Sequence, residues 1–264
     1  MLAIGSCETE VERKIVRPRA VYARRVTKRT QRAGSARTGT VRAMSPVPIA
    51  PRIEGALTAA VAGNLLDDRQ LTQLTISADL AGHALRGLDV SACRFEGARL
   101  TGADLQGARI VDSVFVDCEL SGTALSDAVL TRVELRNCRM SGMILSSAKL
   151  RDVRANECKI DSLSMRMATT ERMYLERCLL RDADFAGSRL ELSRLFDCDL
   201  TAADFSKTTF RDVRFHGSEL GGLRGIEHLR GIVIDQQQMH DFALGLFAAH
   251  DVTIDDEREP TARS

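Results

Sequence analysis

The sequence predicts an all-β fold, a parallel β-helix with four sides, and two periodicities carry that prediction. First, a large apolar residue occupies every fifth position of residues 80–220, with exceptions only at Ala155 and Thr170. Second, cysteines recur at every twentieth position, each two positions before one of the apolar residues, at Cys118, Cys138, Cys158, Cys178 and Cys198. Four five-residue steps separate one cysteine from the next, which gives four sides per coil.

A period of five fits neither a straight helix nor a straight strand. In an α-helix each step of five rotates the side chain by about 140° beyond a full turn, so the apolar residues would spiral around all sides. In a strand, where side chains alternate with period 2, successive apolar residues would point to opposite faces. A chain that turns once every five residues directs all of them at one axis. Residues 78–222 then form about seven coils at the ~4.8 Å spacing of paired strands.

The individual repeat units resemble those of a known family. ADLQG (103–107), ADFAG (183–187), CRFEG (93–97) and CELSG (118–122) are similar to the A(D/N)LxG consensus of the pentapeptide-repeat proteins. The resemblance implies a right-handed quadrilateral β-helix. Around residues 165–175 (MRMATTERMYL) the units depart from the consensus, so we expect a bulged or locally widened coil there and the weakest part of the rod near 155–175.

Three segments flank the repeat region. Residues 1–43 hold eleven Lys and Arg against three Glu, which predicts a disordered basic tail or an upstream extension with the true start at Met44. Contact with nucleic acid through this tail and organelle targeting are weaker alternatives. Residues 44–77 are interpreted as a proline-bearing linker (44–51) and an N-terminal cap. The cap would be a short helix within 53–66, an imperfect first coil within 66–80, or both.

The C-terminal segment, residues 223–264, predicts an amphipathic helix and a frayed tail. Apolar residues recur at helical spacing in IDQQQMHDFALGLFAAH (234–250), and Asp235 with Gln238 has capping-box spacing. The helix is similar to the terminal segment of the fluoroquinolone-resistance pentapeptide proteins. It would fold over the last coil, join two copies in a homodimer, or do both. The candidate interface residues are Met239, Phe242, Leu246 and Phe247.

The sequence offers no candidate catalytic, cofactor-binding or metal-binding residue, so we expect a protein that is not an enzyme and that has no cofactor and no small-molecule substrate. The cysteine ladder lacks a companion histidine for zinc and predicts buried small side chains. Seven cysteines without a disulfide pattern, no signal peptide and no membrane-spanning run indicate a cytoplasmic protein without membrane contact.

Two functional hypotheses follow. The preferred one is a non-enzymatic scaffold or adaptor that binds an unidentified protein partner through its flat faces. The alternative, implied by the resemblance, is an effector of DNA gyrase that mimics DNA and gives fluoroquinolone resistance. DNA mimicry needs a strongly acidic face, yet residues 78–222 hold 22 Asp and Glu against 20 Lys and Arg, and no side carries one sign.

Overall fold

The computed structural model describes residues 45–60 and 69–252. These residues form a parallel β-helix of about eight turns followed by one α-helix, which confirms the predicted fold class. The strands are β1 Thr58–Ala59, β2 Gln70–Thr72, β3 Leu74–Ile76, β4 Asp89–Ser91, β5 Arg94–Glu96, β6 Arg109–Val116, β7 Val129–Arg136, β8 Lys149–Asn156, β9 Thr169–Glu176, β10 Arg189–Glu191, β11 Arg194–Phe196, β12 Thr209–Arg211, β13 Val213–Arg214 and β14 Ile232–Val233. A 3₁₀ turn (Ile226–His228) and helix α1 (Met239–Ala249) complete the described chain.

Neighbouring coils pair in parallel, each residue with the one that stands at the twentieth position after it. In β6 to β9, for example, Ile110 pairs with Leu130, Leu130 with Leu150, and Leu150 with Thr170. Two sides of the rod carry these strands, while the other two consist of single bridges with the same shift, such as Asp104 with Ala124. Backbone N–H groups and carbonyls therefore find their partners one coil above or below.

An additional imperfect coil precedes the regular repeat. Leu71 pairs with Val90 and Ile76 with Phe95, so this coil is one residue shorter than the regular coils that follow. Leu71 and Ile76 are buried in the core. Residues 53–60 form no helix; β1 at their end pairs with β3 in place of the short helix considered for this region. Residues 61–66 lie outside the described residues, as does the basic segment 1–43.

The prediction of a widened coil around 165–175 is wrong. Strand β9 pairs with β8, β10 and β11 in the regular register. In each repeat unit we call the large apolar position the central position, and the one two residues before it, which usually holds a small residue, the slim position. Here the usual sizes are reversed. Buried Val153 and Met173 fill the slim position, while the central position that follows Val153 holds only Ala155. The hydroxyl of Thr170 lies 3.1 Å from that of Ser193 inside the rod. Size compensation and a buried polar pair thus replace a backbone distortion.

Aromatic rings fill the two ends of the core more completely than aliphatic side chains fill its middle. Phe95 stacks on Phe115 with ring centroids 4.4 Å apart, and Phe185 stacks on Phe205 at 4.8 Å. Between them, Leu, Ile, Val, Met and the short Ala155 line an apolar cavity of about 60 Å³. The middle of the rod has therefore the looser packing.

The six described cysteines are free and buried, as predicted for small side chains in the slim position. Each thiol of the cysteine ladder donates to the carbonyl oxygen two residues earlier, as from Cys158 to Asn156 at 3.3 Å. Burial raises the pKa of the Cys93 thiol, which disfavours the reactive thiolate.

One corner of the rod carries a ladder of alternating charge, which we call the corner ladder: Asp112, Arg132, Asp152 and Arg172. Arg172 donates to both oxygens of Asp152 at 2.6 and 3.0 Å, and Arg132 does the same to Asp112 at 2.5 and 2.6 Å. The side chains of Arg172 and Asp152 are 7% and 2% exposed. The second pair is therefore a buried ion pair, whose disruption would leave a charge inside the protein.

The capping-box residues at the C-terminal end anchor the helix to the last coils. Asp235 accepts hydrogen bonds from the N–H groups of Gln238 and Gly217 at 3.1 and 2.7 Å. The Gln238 amide is buried; its oxygen accepts from the Asp235 N–H, and its nitrogen donates to the carbonyls of Phe215 and Ser218 at 2.5 and 2.6 Å. The capping-box spacing predicts a helix start at Asp235, but the α-helix begins at Met239, because Asp235 and Gln238 bond to the last coils and form a turn before it.

Substitution Phe205→Ala should lower the free energy of unfolding by about 3–5 kcal/mol, because it removes a fully buried ring and leaves a cavity. Phe196→Ala is the matched control: Phe196 is half-buried and makes an edge contact with Tyr174 at 5.5 Å. Its loss should cost about 1 kcal/mol. Denaturant unfolding followed by circular dichroism measures both, and equal losses would contradict the packing described above.

Substitution Arg172→Ala should lower the free energy of unfolding by about 3–5 kcal/mol, because it leaves the Asp152 carboxylate buried without its partner. Arg86→Ala is the control, since Arg86 is 68% exposed in its pair with Asp104 and should cost at most about 1 kcal/mol.

The loss caused by Arg172→Ala should also depend on pH. Burial raises the pKa of Asp152, but hydrogen bonds from Arg172 and from the Ile49 N–H outweigh burial and hold that pKa below its ordinary value. The pair therefore stabilises the protein above the ordinary carboxyl pKa of about 3.9 and loses its effect as pH falls through the lowered value. Unfolding curves between pH 7 and 3 should show the difference between wild type and variant shrinking; a constant difference would be evidence against the ion pair.

Candidate interaction surfaces

Many charged side chains of the rod form ion pairs between adjacent coils. On one side these include Arg151 with Glu171 at 3.2 Å and Arg211 with Glu191. On other sides Arg166 pairs with Asp184 at 2.8 Å. The described surface of the rod therefore carries both signs of charge, with many of them in a lattice of ion pairs, rather than a field of one sign.

An area without charged side chains, bordered at one corner by the exposed Asp127, interrupts this lattice on one side. We call it the Ile144 face, and it consists of Ser121, Ala124, Ser126, Ser141, Ile144, Ser146, Ser147 and Ser164. Bridges place Ile144 between Ala124 and Ser164 on successive coils, and Ile144 is 39% exposed. The hydroxyls of Ser146 and Ser164 lie 3.2 Å apart. One coil before Ala124, Asp104 forms an ion pair with Arg86, and one coil after Ser164, Asp184 forms an ion pair with Arg166.

Sequence reasoning missed the Ile144 face, although a signal was present. The run SGMILSSA (141–148) contains no charge, whereas most repeat units contain at least one. Met167, at the adjoining corner, is 66% exposed and has a left-handed backbone with φ of 59°. Its sulfur lies over Gly187, where an added Cβ would come within 2.6 Å of it. An apolar side chain therefore also borders the face.

The four predicted interface residues of helix α1 divide between two environments. Phe242 and Leu246 are partly buried against the core, while Met239 and Phe247 are 62% and 42% exposed. Gly245 permits close packing, because a Cβ at this position would lie 2.7 Å from Cδ1 of Ile226. The helix thus covers the last coil with one side and presents Met239, Leu244 and Phe247 to solvent with another.

The described residues bring no three His, Cys, Asp or Glu side chains together in a way that would hold a metal ion. Within residues 45–60 and 69–252, no helix has the length and apolar character needed to cross a membrane.

Two family models match the repeat region. A model described as "Pentapeptide repeat region" matches residues 88–165, and one described as "Pentapeptide repeats (8 copies)" matches residues 178–217. The residues between the two matches, 166–177, include Thr170 and Met173, whereas Val153 and Ala155 lie within the first match. The comparison with curated protein sequences gave no match.

Several solved structures are similar to this chain. QnrB1, a plasmid-mediated fluoroquinolone resistance protein, is 17% identical, with 67% of this chain and 99% of that chain covered and a TM-score of 0.45. HetL, a pentapeptide repeat protein involved in heterocyst differentiation regulation in Nostoc sp. strain PCC 7120, is 18% identical, with coverages of 63% and 90% and a TM-score of 0.24. A pentapeptide repeat protein of the Arabidopsis thaliana thylakoid lumen is 22% identical, with coverages of 40% and 70% and a TM-score of 0.22.

The two family matches together fall on the coils in which the five-residue pattern and the four-sided register coincide. The repeat region of this chain, residues 88–165 and 178–217, belongs to the pentapeptide-repeat family.

Proposed function

We propose that this chain is a non-enzymatic scaffold or adaptor that binds a protein partner through the Ile144 face. The observation that carries the proposal is the contrast between this uncharged face and the ion-paired surface around it. Small side chains on paired coils give a flat area with little side-chain entropy to lose on binding. Ile144 at its centre offers apolar area, and the serine hydroxyls offer hydrogen bonds at its edge.

The charge pattern argues against DNA mimicry as the route to a partner. A DNA-like surface needs phosphate-like negative charge along the whole rod, whereas here Arg pairs with Asp and Glu between coils. A partner that recognises this rod would therefore recognise shape and local apolar contact. The gyrase alternative can be tested directly: full-length protein titrated into a gyrase supercoiling assay, with and without a fluoroquinolone, should change neither supercoiling nor drug sensitivity.

The exposed side of helix α1 is a second proposed contact, between two copies of the chain. Met239, Leu244 and Phe247 would otherwise leave large apolar side chains in water. Because Phe242 and Leu246 hold the opposite side of the helix against the solenoid, two helices could pair without unfolding either cap.

Photo-crosslinking tests the Ile144 face. A benzoylphenylalanine at position 144 should give a covalent adduct with another protein in the organism of origin, because the partner would lie directly on this side chain. The control is position 84, which occupies the same place in the repeat three coils earlier and is also exposed. The same adduct at both positions, or none at position 144, would refute the proposal; an adduct with a second copy of this chain would make the face a self-association surface.

The dimer is tested by light scattering on the purified full chain. Wild-type protein should have twice the single-chain mass of 29.0 kDa, and Phe247→Asp should return it to one chain by placing a charge in the apolar contact. Val233→Asp, which adds the same charge at an exposed apolar position outside the helix, should leave the dimer intact. A wild-type protein of single-chain mass would exclude this contact.

A further inference from the structure

Residues 46–52, which the sequence indicates as part of a linker, lie on the outside of the rod across the corner ladder. We call this segment the strap; its sequence is Pro-Val-Pro-Ile-Ala-Pro-Arg. The Ile49 N–H donates to Asp152 and the Arg52 N–H donates to Asp112, both at 2.9 Å. Arg154 donates to the Pro48 carbonyl at 2.7 Å, and Pro48 is buried.

The spacing of the donor N–H groups along the strap matches the spacing of the acceptor carboxylates along the rod. The two donating N–H groups are three residues apart, which spans about 9–10 Å in an extended or polyproline II chain. The two accepting carboxylates lie two coils apart in the rod, which is about 9.6 Å. The strap therefore runs against the coil direction and meets a carboxylate on every second coil. Each donating residue directly follows a proline, namely Pro48 or Pro51.

The corner ladder differs from the other corners of the rod in its hydrogen bonds. All four of its residues have left-handed backbones with φ between 49° and 58°, but charged residues at other corners, such as Asp117 and Arg177, share this conformation. In the corner ladder Arg alternates with Asp, so that each carboxylate is oriented by a bidentate partner.

The strap leaves one donor of this site without a partner. The Nε of Arg154 is buried and makes no hydrogen bond within the described residues, although the same side chain holds the Pro48 carbonyl. A buried guanidinium donor without an acceptor carries a desolvation cost. A peptide with an acceptor near this position would satisfy it, so the strap need not be the best ligand for the ladder.

We propose that the corner ladder is a binding site for extended peptides of the form Pro-X-X-Pro-X, and that the strap is the ligand which this chain carries in cis. The partner is a proline-containing segment of another protein, which binds when the strap leaves. Prolines fix the extended backbone before binding and have no N–H of their own to leave unpaired. The residue after each proline supplies the N–H that Asp112 and Asp152 accept. This proposal is independent of the Ile144 face, which lies on another side of the rod.

A peptide titration tests the site. The probe is a fluorescein-labelled peptide of residues 45–54 (SPVPIAPRIE), and the protein is the full chain, either wild type or with Pro48→Gly and Pro51→Gly to loosen the strap. The tethered strap competes at an effective concentration of about a millimolar, so wild type should not bind micromolar peptide measurably by anisotropy. The loosened variant should bind at least about ten-fold more tightly. Equal binding by the two proteins would overturn the proposal.

A matched pair of substitutions locates the contact. In the loosened variant, Asp112→Ala should weaken peptide binding about ten-fold, because it removes a charge-assisted acceptor. Asp117→Ala is the control: Asp117 lies on the same coil, has a similar φ of 54° and accepts a hydrogen bond from Asn137 on the next coil. It should leave the affinity unchanged. Similar effects of both substitutions would show that the peptide does not use the ladder.

Hydrogen exchange on the wild-type chain gives a test that needs no variant. The amides of Ile49 and Arg52 should exchange at least about ten-fold more slowly than that of Ala50, which makes no hydrogen bond within the described residues. If all three exchange at the same rate, the strap does not occupy the ladder and the proposal fails.

Discussion

The structure depends on one constraint, the pairing of every coil with its neighbours in one constant register. The N–H of Leu120 reaches the carbonyl of Arg139 at 2.7 Å, and the N–H of Arg139 reaches back to Cys118 at 3.0 Å. Because these hydrogen bonds fix the register, each side chain lies between the equivalent side chains of the coils above and below it, at about 4.8 Å from each. The size and charge of the side chain at one position therefore limit which residues can occupy the equivalent positions of the adjacent coils. Stacked Phe rings, cysteines and ion pairs all follow from this repetition.

The fold could be predicted from the sequence because the register is periodic, but local departures from the pattern could be interpreted in two ways. Ala155 is smaller than the usual residue at its repeat position, and Met173 is larger. Considered along the sequence alone, each predicts a distortion of the coil. In the folded chain Val153 and Met173 occupy adjacent slim positions, so that their extra volume partly offsets the missing volume at Ala155. Only the pairing between coils shows this, because Ala155 and Met173 lie on different coils. Ala155 is one of the residues that line the apolar cavity of about 60 Å³.

The candidate surfaces were predictable to different degrees for the same reason. Helical periodicity identified Met239, Phe242, Leu246 and Phe247, but it could not say which of them contact the solenoid, since this depends on where Ile226 lies. The contact between the strap and the rod was harder still to predict. The strap's prolines predict a linker by composition, and nothing in the local sequence links Ile49 to Asp152, 103 residues away. That contact arises from the match between a three-residue step and two coils, which is a property of geometry.

Register also limits how a pentapeptide-repeat rod can carry charge. Like charges at the same position of adjacent coils lie about 4.8 Å apart, where repulsion amounts to about 1 kcal/mol in water and to about 3–4 kcal/mol near a protein surface. A uniformly acidic face accumulates this cost at each coil, whereas alternation of Asp112, Arg132, Asp152 and Arg172 converts it into attraction. A rod that alternates charge is stable without a counter-charged partner and lacks long-range attraction for one. Both proposed binding sites are accordingly local features: the uncharged Ile144 face, and the carboxylates that alternation places on every second coil, which we propose bind an extended peptide.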